Sequence, residues 1–155
     1  MGRIVAFDVG ERRIGVAISD ASCTLARPLG TLQVKGLGSN AVSAAAAEVA
    51  RLAAEDDGVV AVVVGLPIRL DGSPNDMTAR AERFGRDLAV SIQMPVTFQD
   101  ERLSSYEAES RLSRREKDWR VRKQRLDAAA AAVILQDYLD TRPGRPEPVS
   151  EVPDF

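Results

Sequence analysis

The chain has 155 residues, 45% of them hydrophobic and 28% charged, with a formal net charge of −2. That length and composition describe one globular domain with a real core, folding without metal or disulfide staples. With no histidine and a single cysteine, a structural zinc site, a Ser-His or Cys-His catalytic pair and an internal disulfide are all disfavoured; acid–base or metal chemistry falls to Asp, Glu, Lys, Tyr or backbone, and oxygen-only ligand sets suit magnesium, manganese or calcium.

Residues 3–9 (RIVAFDV) are rich in β-branched and aromatic side chains and end at a glycine, which predicts a buried strand. Asp8 interrupts this apolar run, which also lacks a basic leader and a small-residue cleavage site, so no signal peptide is expected. No apolar stretch approaches the roughly 20 residues of a membrane span, and a cytoplasmic protein without a membrane partner is expected. Residues 12–19 (RRIGVAIS) predict a second strand, joined by a tight turn at Gly10-Glu11 into an antiparallel hairpin. Alternation over 29–34 predicts a third antiparallel strand.

Ser39-Asn40 then offers an N-cap for an alanine-rich helix over 41–55, closed by Asp57-Gly58. The continuous apolar run 59–67 (VVAVVVGLP) predicts a central strand covered on both faces. Ser73-Pro74 reads as a helix start, and Met77, Ala81, Phe84, Leu88 and Ile92 share one face of the helix that follows. Residues 96–101 (VTFQDE) form a short strand ending in acids, 104–113 a helix, and 114–125 a charged connection. Residues 125–140 form the terminal helix, and the four prolines after it predict a disordered tail over 142–155, leaving a single domain over 1–141. The order β-β-β-α-β-α-β-α predicts an α/β fold: a five-stranded mixed sheet, three antiparallel strands then parallel ones, with helices on both faces.

Three acids stand out by context. A hairpin followed by parallel strands leaves Asp8 at the sheet centre, Glu101 stands at the carboxyl end of the last strand, and Asp127 begins the terminal helix. In such sheets, sites form where the carboxyl ends of central strands open outward. Carboxylates brought together repel one another, and a divalent cation removes that penalty. Each acid also has a plainer reading: Asp8 accepts N–H bonds from the following turn, Glu101 pairs with Arg102 or is solvated, and Asp127 complements a helix dipole.

Gly10 and Gly65 allow close approach of a backbone, whether of substrate or of the protein itself. Gly15 marks a place where another element packs closely. The segment 114–125 (RREKDWRVRKQR) holds seven basic against two acidic side chains immediately upstream of Asp127. Such a local stripe suffices for phosphate contacts although the whole chain is slightly acidic. Trp119 can stack on a base, and Arg122, Lys123 and Arg125, with Arg12, Arg13 and Arg102 elsewhere, are candidates for nucleic-acid contact. The alternative is a solvated connection anchored by one aromatic, with each arginine paired to a neighbouring acid.

The stretches "DVGERRIGVAISD", "VGLPIRLDGS", "QDERLSSYEAE" and "LDAAAAAVILQDYLD", in this order over about residues 3–140, resemble the YqgF (RuvX) family. The resemblance implies a ribonuclease H-like fold and a nuclease of the 5′ end of precursor small-subunit ribosomal RNA, with resolution of Holliday junctions as the alternative. It assigns the catalytic and metal-binding acids to Asp8, Glu101 and Asp127, holding one or two magnesium or manganese ions. It implies precursor ribosomal RNA or branched DNA as partner, with ribosomal particles a further one, and a monomer or homodimer. The basic segment varies within the family, so none of its residues is assigned this way. An actin-like nucleotide-binding protein also starts its sheet with D-x-G, but needs two such domains and a second phosphate loop. A non-catalytic RNA-binding or transcription-associated module would function without Asp8.

Overall fold

A computed structural model describes residues 2–67, 72–100 and 119–142, with the backbone alone described over 119–126. The elements are β1 (Arg3–Val9), β2 (Arg13–Ser19), β3 (Ala26–Gln33), α1 (Ser39–Ala53), β4 (Val59–Leu66), α2 (Asp76–Ile92), β5 (Val96–Asp100) and α3 (Trp119–Thr141). The expected helix over 104–113 and the expected disordered tail beyond Arg142 lie outside the described residues.

The five strands form one sheet in the order β3-β2-β1-β4-β5. β1 pairs antiparallel with β2, and β2 with β3. β4 runs parallel to both β1 and β5. This is the arrangement expected of a ribonuclease H-like sheet, and it puts β1 at the centre. The carboxyl ends of β1, β4 and β5 open at one edge of the molecule, where the β1–β2 turn also lies.

Strand alternation sorts the core into two layers. Val5, Phe7, Ile14, Val16, Ile18, Val62 and Val64 face α1 and α2, meeting Val49, Leu52, Phe84 and Leu88. Phe7 and Phe84 pack edge to face, with ring centroids 6.4 Å apart. On the opposite face Ile4, Ala6, Ala17 and Val63 meet Ala131, Ile134, Leu135 and Leu139 of α3. Cover on both faces explains why β4 is apolar at successive positions.

Four element starts shift by two or more residues from expectation, each for a physical reason. β3 starts at Ala26 instead of 29, because it is an edge strand and tolerates Pro28, which lacks an N–H. There the Ala26 N–H donates to the Gln136 side-chain oxygen at 2.9 Å. α1 is capped at Gly38, so Ser39 and Asn40 lie within or at the start of the helix and supply no cap. α2 starts at Asp76, not Pro74: the Asn75 side chain accepts from the Thr78 N–H at 3.1 Å while Thr78 Oγ1 accepts from the Asn75 N–H at 2.9 Å. That reciprocal pair satisfies two N–H groups that helix formation would leave open. α3 is already helical at Trp119, ahead of the expected 125, since Arg, Lys and Gln are strong helix formers and carry the helix through the charged segment.

Candidate functional site

The site is built on glycines. Asp8 is the penultimate residue of β1, and its cross-strand partner on β2 is Gly15. On the other side Phe7 pairs with Val64, so Gly65 stands one place beyond, at the level of Asp8. A half-buried carboxylate at the centre of the sheet thus has positions without side chains on both flanks. Alternation from Ile4 and Ala6 puts Asp8 on the α3 face.

Asp127 arrives on the same face from α3. A Cβ placed on Gly15 would stand 2.0 Å from the Asp127 carbonyl oxygen and 3.2 Å from the Ala128 nitrogen. Only a glycine permits so close an approach of helix backbone to strand, so the packing reading of Gly15 is the one observed. Because Gly15 is also the partner of Asp8, this contact brings the two acids to one place. Asp127 lies eight residues into α3, a little over two turns from Trp119. It does not begin the helix as expected. The helix dipole, confined to the first turn, therefore gives no account of it.

The Asp127 carboxylate accepts a hydrogen bond from Arg13 Nε at 2.6 Å. Both side chains are about a quarter exposed, at 23% for Arg13 and 28% for Asp127. Arg13, expected among the nucleic-acid contacts, is thus first a partner of a candidate catalytic acid. Arg12 is exposed in the β1–β2 turn, where its carbonyl accepts from the Val34 N–H at 2.9 Å. A Cβ on Gly10 would lie 3.0 Å from the Arg13 carbonyl oxygen, so Gly10 lets the hairpin close on itself.

β5 ends at Asp100, opposite Leu66 of β4. Glu101 and Arg102 come next in sequence and lie outside the described residues. The same is true of the side chains of Trp119, Arg122, Lys123 and Arg125, whose backbone is helical. Lys123 is four residues before Asp127 in that helix, the spacing that shares a face. Among the described residues no group of three acidic or thiol side chains converges as a metal cluster.

The donor set still fits a hard divalent cation. Asp8 and Asp127 supply oxygen only, on one face and at one end of the sheet, and the chain has no histidine. Sequence reasoning missed two features: the Arg13–Asp127 ion pair, and the pair of glycines flanking Asp8. The second had a signal, since Gly15 follows Asp8 by seven residues across a hairpin turn and so lands opposite it.

Comparison with known proteins bears on this geometry. The model of a family described as "RuvX: Holliday junction resolvase" matches residues 2–141. A protein of Burkholderia lata named "Putative pre-16S rRNA nuclease" is 45% identical over 137 residues, 88% of each chain. One of the same name from Chloroflexus aurantiacus is 41% identical over 150 residues, 97% of this chain and 94% of that one. Among solved structures, T. thermophilus RuvC in complex with a Holliday junction substrate is similar at a TM-score of 0.49 and 17% identity, covering 94% of this chain and 98% of that one.

Proposed function

Because the chain belongs to the RuvX family, we propose that it is a metal-dependent nuclease that hydrolyses phosphodiester bonds in the 5′-end processing of precursor small-subunit ribosomal RNA. The observation that supports this reading is the seating of the Asp127 backbone on Gly15, the strand partner of Asp8, at the open end of the sheet. Glu101, directly after β5, is proposed as the third acid. Asp8, Asp127 and Glu101 would hold one or two magnesium or manganese ions, which when bound acidify a coordinated water and stabilise the leaving oxygen.

The protein's own residues have distinct tasks. Central placement in β1 fixes Asp8, and close packing on Gly15 fixes Asp127, so the acids are positioned before substrate arrives. Arg13 holds the Asp127 carboxylate by a charge-assisted bond and offers positive charge at the place where a phosphodiester would sit. Gly65 is buried in β4 at the level of Asp8, so the approach it permits is that of the protein's own packing and not of a nucleic-acid strand. Arg12, Arg102, Trp119, Arg122, Lys123 and Arg125 are proposed contacts to the strand outside the acids. Hydrolysis at such a site leaves a 5′-phosphate and a 3′-hydroxyl. The reaction is proposed for the cytoplasm, where precursor ribosomal particles are found, with the protein a monomer or homodimer.

The family's own description favours a second reading, resolution of four-way DNA junctions. One experiment separates the two. Purified protein is incubated with labelled precursor ribosomal RNA and with a four-way DNA junction, each with magnesium, manganese or EDTA. The RNA reading expects RNA cleavage that Asp8→Asn lowers by orders of magnitude while folding is retained. Junction cleavage alone, equally dependent on Asp8, supports the second reading. Equal residual activity in wild type and Asp8→Asn refutes both and leaves a non-catalytic module.

A further inference from the structure

The β1–β2 turn has a second flank, away from the acids. There it borders two adjoining hollows that share Arg80 of α2. One is lined by Glu11, Arg12, Gln33, Lys35 and Gly36 with Arg80. The other lies between the start of α1 and α2, lined by Ser39, Ser43, Arg80, Arg83 and Asp87 among others. Together they present four basic side chains, Arg12, Lys35, Arg80 and Arg83, and two acidic ones, Glu11 and Asp87. All six are exposed.

The surface is held in place by the fold. The Gly36 N–H donates to the Glu11 carbonyl at 2.6 Å, and the Val34 N–H to the Arg12 carbonyl at 2.9 Å, so the segment after β3 is fastened to the turn. Arg80 Nη1 meets Glu11 Oε1 at 2.5 Å, which fastens α2 to the same turn. Arg83 is only loosely paired with Asp87, at 4.0 Å, and its side chain is 86% exposed. The turn that carries Arg12 separates Asp8 on β1 from Arg13 on β2 by a few residues. The basic surface is therefore continuous with the candidate site across a single hairpin turn.

We propose that Arg12, Lys35, Arg80 and Arg83 form a track for the phosphodiester backbone of the nucleic-acid strand, on the α1–α2 side of the sheet end. Lys35, Arg80 and Arg83 are additional to the contacts proposed above, and the track lies on the opposite flank of the acids from the basic start of α3. The strand crosses the open end of the sheet with its scissile phosphate at Asp8 and Asp127, and its neighbouring phosphates in the two hollows. Arginine and lysine here contact phosphate and read no bases, so the track sets position and affinity and leaves sequence choice elsewhere. This inference rests on the nuclease reading of the site.

The test uses the full chain with three exposed cations neutralised together, Arg12→Gln, Lys35→Gln and Arg83→Gln. Arg51→Gln, on α1 at the far end of the sheet, controls for the loss of positive charge. Binding of a single-stranded RNA and of a four-way DNA junction is measured from 50 to 200 mM salt, with Asp8→Asn in parallel. Each phosphate contact contributes about 0.7 to the slope of log affinity against log salt for a single strand and about 0.9 for a duplex. The triple variant is expected to lose about 2 from that slope on single-stranded RNA, or about 2.7 on the junction, with KM raised and kcat retained, while Arg51→Gln binds as wild type does. The substrate showing the larger loss identifies the strand the track serves. An unchanged slope in the triple variant, with wild type binding and Asp8→Asn binding without cutting, overturns the track and leaves the nuclease reading intact. Binding with the expected slope loss but no Asp8-dependent cleavage overturns the nuclease reading and keeps a nucleic-acid surface. Wild-type protein that binds neither substrate overturns both.

Discussion

The two faces of the sheet are built from different materials. Toward α1 and α2 the buried side chains are large: Phe7, Phe84, Ile14, Ile18 and Leu88 fill the layer. Toward α3 the strands present Ala6, Ala17 and Gly15 beside the larger Ile4 and Val63, and α3 answers with Ala128, Ala130 and Ala131 before its larger residues Ile134, Leu135 and Leu139. Large side chains bury more apolar area and hold elements apart. Small ones let backbones approach until a helix carbonyl rests on a strand. The first face buries the larger apolar side chains, and the second lets the backbone of Asp127 rest against Gly15, the strand partner of Asp8.

That contrast can be broken from either side. Phe84→Ala should cost about 3–5 kcal/mol, the range for removing a buried aromatic side chain. Chemical unfolding measures the loss, and cleavage by the protein that remains folded should be nearly normal. Gly15→Ala should cost less, about 1–3 kcal/mol by overpacking. It should nonetheless reduce cleavage more than Phe84→Ala does, because its Cβ displaces the backbone of Asp127 itself. If the two variants lose activity in proportion to stability, the distinction between the faces fails.

Smaller effects sharpen the picture at its margins. Asn75→Ala removes the reciprocal cap of α2 and should lower stability by about 1 kcal/mol without touching the acids. Arg13→Gln should change stability by less than about 1 kcal/mol, since the ion pair with Asp127 is partly solvated. Its effect belongs in catalysis, read as a fall in kcat/KM with the unfolding midpoint nearly unmoved. The smallest concerns Asp20 in the β2–β3 turn, whose carboxyl is held below its ordinary value chiefly by the Thr24 N–H, with help from the Leu25 N–H. A depressed folded pKa adds stability above the unfolded value and loses it as pH falls through the folded one. Acid titration of unfolding should show Asp20→Asn less sensitive than wild type below the ordinary carboxylate range.

Much of this fold is written locally. The apolar runs of β1 and β4, the hairpin and the alanine-rich α1 each follow from composition and spacing. Boundaries set by partners are less legible. The extent of β3 depends on its being an edge strand with Gln136 nearby, and the start of α2 on a cap between Asn75 and Thr78 that Pro74 obscured. Among site residues, Asp8 was readable as a charge inside an apolar strand at the sheet centre. Asp127 reads from the sequence as a helix start, which it is not; its real anchor is Gly15, distant in sequence and adjacent only after folding. The Arg13–Asp127 pair spans the chain and has no local signature at all.

In the proposed site Asp8 and Asp127 act as one unit. Single-turnover cleavage of the preferred substrate by Asp8→Asn, Asp127→Asn and the double variant tests it directly. Each single variant should lose on the order of 10²–10³-fold. The double variant should then lose scarcely more than the worse of the two, as residues of one constellation do. A double variant whose losses multiply, or an Asp127→Asn protein that cuts as wild type does, would contradict a shared site.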